Sequence, residues 1–233
     1  MTKRIFDDFD AYADDYRAIH NQNIKISGAD SFYFAKMKVD ILQDFEKNSS
    51  LKVLDVGCGD GTTAMFFAKL FPLWMVTGVD VSVQSIAEAQ KKQLPNCTFL
   101  AYDGFSLPFE NNSFDMVFIA GVLHHVSHHL HNQLLTNMQQ CLKAGGRLYL
   151  FEHNPINPLT RYLVNTCVFD KNAKLLPYGY TQKIIKQASL KLLSTQFIIF
   201  FPRNKWFSKI LFLEKYLQKL PVGGQYFIRA LKP

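Results

Sequence analysis

The sequence has no uninterrupted apolar run near the roughly 18 to 20 residues of a membrane-spanning helix, although 48% of its 233 residues are hydrophobic. Its opening, MTKRIFDDFDAYADDY, turns acidic where a signal peptide would turn apolar, so a cytoplasmic protein is expected. Cysteine is scarce and scattered. Cys58, Cys97, Cys141 and Cys167 form no C-x-x-C pair, which excludes the spacing of a zinc ribbon or disulfide framework and leaves reduced, mostly buried thiols. Acidic residues almost vanish from Thr181 onward, where eight lysines and two arginines face Glu214 alone, a net charge of +9. The rest of the chain is slightly acidic, so nucleic acid is not an expected partner. No repeat or low-complexity tract occurs, and the length suits one domain, residues 1–233.

What is present is a run of short apolar segments: LKVLDVG (51–57), MVTGVD (75–80), CTFLAY (97–102), SFDMVFIAG (113–121) and RLYLFE (147–152). Helical periodicity lies between them near 61–71, 83–93 and 129–142, with Pro72 and Pro95 as stops. Alternating strands and helices of this kind predict an α/β, Rossmann-like doubly wound sheet, mostly parallel, with helices on both faces. Residues 153–180, with three prolines and no clear period, read as an irregular insertion over the carboxyl edge, where ligands bind such sheets. A short helix (181–188), a strand (190–201), an amphipathic helix (206–220) and a final strand (223–232) follow.

The first strand ends in Val53-Leu54-Asp55-Val56-Gly57-Cys58-Gly59-Asp60-Gly61. Alternate glycines at a strand-to-helix turn let a ligand approach the backbone closely. A dinucleotide site would want glycine where Thr62 stands, and its pyrophosphate would meet the charge of Asp60. A ligand carrying an ammonium and a sulfonium would instead favour both Asp55 and Asp60. Asp80, ending the second strand, suits a ribose diol. Asp103, with Gly104, ends the third and suits an adenine amino group, with Val81, Phe105 and Leu107 available to flank the ring.

At these residues the sequence resembles the class I S-adenosylmethionine-dependent methyltransferases, above all the small bacterial ones similar to the ubiquinone and menaquinone biosynthesis enzymes. VLDVGCGDG is a specific form of their first motif, and the likeness runs on through VTGVDVS, AYDGFSLPFENNSFDMVFIAGVLHHV and LKAGGRLYLFE. The resemblance implies a seven-stranded sheet with an antiparallel last strand, and S-adenosylmethionine as cofactor. Asp55, Gly57, Cys58 and Gly59 would hold its methionine end, Asp80 the ribose, and Val81, Asp103 and Gly104 the adenine. Gly121 and Val122 would floor the sulfonium. Phe9-Asp10-x-x-Ala13-x-x-Tyr16 looks like the family's N-terminal segment over the cofactor, within a helical stretch spanning residues 1–48.

Five histidines cluster after the fourth strand. His128, His129 and His131 read as exposed helix residues, and no neighbouring cysteine or acid pair completes a metal shell, so no metal is expected. His124 and His125 occupy the strand end that faces the methyl donor in related enzymes, where a neutral imidazole can take a proton. Glu152, with His153, ends the fifth strand and is a further catalytic candidate. The insertion offers Asn154, Asn157, Arg161, Tyr162 and Phe169 to orient an acceptor. The expected activity is methyl transfer to a small-molecule or lipid-linked metabolite, oxygen favoured over carbon, with peripheral membrane contact open through the basic helix 206–220. The competing readings are an S-adenosyl-binding regulatory module without turnover and a nucleotide-linked oxidoreductase.

Overall fold

The computed structural model describes residues 28–47, 49–167, 170 and 172–233. The expected N-terminal cover around Tyr16, and Phe169, lie outside these residues.

Helix α1 (Ser31–Gln43) leads into β1 (Lys52–Val56), α2 (Thr62–Leu70), β2 (Met75–Asp80), α3 (Val83–Lys91), β3 (Cys97–Ala101) and β4 (Phe114–Ala120). Then come two 3-10 turns (Leu123–His125, His128–Leu130), α4 (His131–Cys141) and β5 (Leu142–His153). The chain ends with α5 (Pro158–Thr166), α6 (Tyr178–Gln187), β6 (Lys191–Ile198), a 3-10 segment (Ser208–Leu213), α7 (Glu214–Leu217) and β7 (Gln225–Leu231). The seven strands lie in the order β3-β2-β1-β4-β5-β7-β6. Only β7 runs against its neighbours, β5 and β6, so the expected Rossmann-like sheet with an antiparallel last strand is the fold.

Period two divides the core between the two faces of the sheet. Val117, Ile119, Leu148, Leu150, Tyr226 and Ile228 pack on one side, while Met116, Phe118, Tyr149, Phe151 and Phe227 pack on the other. Central strands buried on both sides explain the near-continuous apolar runs. The strand order reverses between β1 and β4, and the crevice at their carboxyl ends is where a doubly wound sheet takes its ligand.

Helix α1 is pinned by buried Glu46, three residues past its end. The Glu46 carboxylate accepts two hydrogen bonds from Arg147 at 2.7 Å and one from the Tyr149 hydroxyl at 2.6 Å. A planar guanidinium matches a carboxylate in this two-point way, and the contact ties α1 to β5.

Between β3 and β4, residues 102–113 are loop and turn. Two expectations are corrected. The insertion is not wholly irregular, for α5 starts at Pro158 with the Asn157 side chain accepting from Thr160 N at 2.9 Å, a cap that favours helix entry. The basic segment 206–220 is not one helix but a 3-10 segment and a single α turn. No residue from 199 to 222 is buried, so no packed apolar face supports a longer helix there. Glu214 also ties the strap back on itself, accepting from the Phe200 and Phe201 amides at 2.8 and 3.0 Å.

Candidate active site

The turn after β1 is built on glycines with positive φ, +73° at Gly57 and +54° at Gly59, a region side chains rarely adopt. A Cβ on Gly57 would run into the Val122 side chain, so this glycine lets the loops after β1 and β4 touch. A Cβ on Gly59 would meet nothing within 4 Å, which marks open space above that backbone.

Asp55 is 2% exposed, and its Oδ2 has no hydrogen-bond partner among the described residues. Burial, then the charge of Asp80, push its carboxyl up to about 7, against the pull of Lys38. An orphaned buried carboxylate oxygen beside an open glycine turn fits a cationic ligand group such as an amino-acid ammonium. Asp80 Oδ2 accepts from Gly59 N at 2.8 Å and its Oδ1 from Ser82 N at 3.0 Å, which ties the end of β2 to the glycine turn. Exposed Asp103 accepts from the Phe105 and Ser106 amides, both at 2.8 Å, and these bonds hold its carboxyl below its ordinary value.

Asp60 is engaged by protein groups on both carboxylate oxygens. Its Oδ1 accepts from Thr62 N and Thr62 Oγ1, capping the start of α2, and Lys92 Nζ reaches both its backbone carbonyl and, at 3.2 Å, its Oδ2. The buried carboxylate oxygen beside this turn that has no hydrogen-bond partner among the described residues is Asp55 Oδ2. Cys58 is buried against Gly78 and the Phe99 ring, its thiol pushed well up by burial, so only its backbone borders the turn. Val81, Gly104, Gly121 and Val122 are half-buried around the same edge.

Beyond Gly121 opens a cavity of about 240 Å³ whose walls include Phe34 and Lys38 of α1, His124, Glu152 and Phe200. His124 is 3% exposed, with Nδ1 2.6 Å from Glu152 Oε2. Glu152 is also buried, and its Oε1 accepts from Leu123 N at 2.8 Å. Each carboxylate oxygen thus holds one group of the turn after β4. Glu152 fixes the proton on Nδ1 and leaves Nε2 as the acceptor. Burial pulls the His124 value down, but the charge and hydrogen bond of Glu152, with Asp170 behind, leave it above the ordinary imidazole value. Burial and then the charge of His124 push neighbouring His125 down to about 3.

Three participants were not anticipated. Half-buried Lys38 is lowered to about 8 by burial, with Glu152 and Asp55 pulling the other way. Asp170, from the insertion, sits with Oδ1 3.3 Å from His125 Nε2 and 3.8 Å from His124 Nε2, and ligand atoms of these three residues lie within 4.8 Å of one another. The acid that sequence spacing did not supply is therefore brought in by the fold. His131 is fully buried, not exposed: Nε2 lies 2.9 Å from the Leu123 and Val126 carbonyls and Nδ1 2.9 Å from the Tyr180 hydroxyl. It clamps the turn that carries His124.

The insertion contributes differently from expectation. Asn154 is buried and donates to the Pro221 and Gly223 carbonyls. Asn157 caps α5, while Arg161 and Tyr162 are exposed. Asn157 also lines the cavity, together with Thr160, Val164 and Cys167.

Residues 53–146 match the family described as Methyltransferase domain. A demethylmenaquinone methyltransferase of Staphylococcus aureus is 33% identical over 115 residues, 48% of this chain and 47% of that protein. A phthiotriol/phenolphthiotriol dimycocerosates methyltransferase of Mycobacterium leprae is 30% identical over 118 residues, 50% and 43% of the two chains. The chain spans about half the length of the curated relatives it matches. A SAM-dependent methyltransferase of Thermotoga maritima shares the fold, with a TM-score of 0.67 at 18% identity over 98% of each chain. Over residues 53–146 the chain is thus similar to methyltransferases, among them a structure named for its dependence on S-adenosylmethionine. The unpaired oxygen of Asp55 and the open space over Gly59 fit that cofactor's amino-acid end.

Proposed function

We propose that the chain transfers a methyl group from S-adenosylmethionine to a small-molecule or lipid-linked acceptor held in the cavity beyond Gly121, at an oxygen in preference to a carbon. The supporting observation is the His124–Glu152 pair, buried at the cavity wall beside Gly121 with Nδ1 to Oε2 at 2.6 Å. When bound, the cofactor supplies an electrophilic methyl on a positively charged sulfur. Asp55 receives the ammonium, Asp80 the ribose hydroxyls, and Asp103, Gly104 and Val81 the adenine. Gly57, Cys58 and Gly59 offer backbone, and Gly121 and Val122 form the floor.

His124 Nε2 takes the proton of an acceptor hydroxyl, and the Glu152 charge stabilises the imidazolium that results. Glu152 is thus a positioning residue. Neutral His125 orients the acceptor, and the Lys38 ammonium steadies its developing negative oxygen. In-line displacement depends chiefly on alignment, a task that falls to the cavity walls. The reaction so described needs no metal. Residues 1–233 then act as one domain, with 153–180 shaping the acceptor pocket. Among the described residues no helix is long and apolar enough to cross a membrane, and a cytoplasmic site of action is part of the proposal.

Thermal unfolding with S-adenosylmethionine, S-adenosylhomocysteine or NAD tests the cofactor. At 100 times Kd, binding adds about 2.7 kcal/mol, or about 5 to 10 °C for this size. Both S-adenosyl ligands should stabilise the protein and Asp80→Ala should abolish the shift; stabilisation by NAD alone would sink the proposal. Labelled methyl transfer to a panel of phenols, hydroquinones and carboxylic acids then separates an enzyme from a binding module, which would bind without turnover.

A further inference from the structure

From Ile199 to Val222 the chain runs over the surface as a strap with no buried residue. It nevertheless exposes large apolar side chains, among them Trp206 (90%), Phe212 (62%) and Tyr216 (70%). Contiguous apolar exposure of this kind marks an interaction surface. Lys205, Lys209, Lys215 and Lys219 are interleaved with these residues and exposed. The strap's one acidic residue, Glu214, is turned inward, its Oε1 on the Phe200 and Phe201 amides and its Oε2 2.6 Å from Arg203 Nη2. No strap carboxylate is left to offset the four lysines.

We infer that this strap docks on an anionic lipid bilayer and sets the mouth of the acceptor cavity against it. Aromatic rings settle at the headgroup level, and lysines beside them are drawn to anionic lipid. The strap is continuous with the cavity, since Phe200, Phe201 and Pro202 line it. Exposed Tyr33 of α1 extends the same face, its ring 5.4 Å from the Arg203 guanidinium. A nucleic-acid footprint would call for basic residues beyond the strap, and the first 180 residues hold no basic excess. Docking needs only the strap, whereas delivery of a lipid-linked acceptor rests on the methyltransferase reading.

The chain has two tryptophans, and Trp74 is 1% exposed, stacked on Phe71, so a lipid-induced change in emission reports Trp206. The full chain is sedimented with phosphatidylcholine vesicles, with or without phosphatidylglycerol, at low and high salt. The expected result is binding to the anionic vesicles with a blue shift, reversed by salt. Removing two near-surface charges in Lys209→Gln/Lys215→Gln should weaken it about thirtyfold. Trp206→Ser/Phe212→Ser should lose binding with the lysines intact. Absence of binding to anionic vesicles, equal binding to neutral ones, or a Trp206 shift driven by protein concentration without lipid would each overturn the inference. Stabilisation by S-adenosylhomocysteine, measured on the same variants, should be unchanged and confirms folding. If it is missing from the parent protein, the methyltransferase reading fails while docking still stands or falls on the vesicles.

Discussion

His124 Nδ1 and Glu152 Oε2 lie 2.6 Å apart across the ends of β4 and β5, both side chains nearly sealed from water. Because the other Glu152 oxygen holds the Leu123 amide, one carboxylate sets both the backbone of the turn and the tautomer of its imidazole. This couples the sheet to the proposed chemistry.

The His124 value stands above the ordinary one because Glu152 and Asp170 outweigh burial. The base must be neutral, so kcat should rise with pH through a value above about 6.5. Glu152→Gln removes the main raising charge and should move that limb to lower pH while reducing kcat. His124→Ala should cost about 10²- to 10⁴-fold in kcat. A pH profile unchanged in Glu152→Gln would argue against the pair.

Asp55 is lifted to about 7 by burial and Asp80, above the roughly 3.9 of an unfolded aspartate. The unfolded chain loses this proton first, so ligand-free stability should fall as pH rises from about 4 to 7. Three units correspond to at most about 4 kcal/mol, and relaxation or water entry makes about 1 to 4 a realistic range. Asp55→Asn should raise the ligand-free Tm at pH 8 and abolish cofactor stabilisation. A lower Tm in that variant would show that Asp55 is already paired.

Gly57 and Gly59 should respond differently to alanine. Gly57→Ala drives a methyl into Val122 at positive φ and should cost about 2 to 4 kcal/mol in urea unfolding. Gly59→Ala meets no protein atom and should cost about 1 to 2 kcal/mol, but weaken cofactor affinity more than stability predicts. Equal affinity losses in both would remove the distinction.

Glu46→Ala breaks the tie between α1 and β5. Arg147 keeps 28% side-chain exposure, so the cost should be about 1 to 3 kcal/mol, below that of a fully buried pair. Because α1 carries Phe34 and Lys38 into the cavity, the acceptor KM should rise more than the cofactor Kd. A purely thermal effect, with KM unmoved, would mean α1 does not shape the acceptor site.

Exhaustive chelation should leave methyl transfer intact. Loss of activity restored by a divalent cation would instead make His124, His125 and Asp170, already within 4.8 Å of one another, a metal site.

Strands β1, β2, β4 and β5 were legible because burial on both faces demands local apolar runs, and Asp55-Val56-Gly57 because a turn at positive φ demands glycine. That the last strand runs antiparallel followed from resemblance, whereas its place between β5 and β6 carries no local pattern and came only with the structure. Helix α5 was hidden although Asn157 and Pro158 carry a start signal, because neighbouring prolines masked its period.

By itself the sequence determined the sheet and the glycine turn, features governed by contacts between near neighbours. The tertiary structure decided which charges meet. It paired Asp60 with Lys92 and left Asp55 Oδ2 without a hydrogen-bond partner among the described residues. It brought Glu152, 28 positions away, onto His124, carried Asp170 to both imidazoles, buried His131 and turned Lys38 into the cavity. A charged side chain carries no mark of its partner in its local sequence, since the electrostatic energy that sets its role depends on distance and burial in three dimensions.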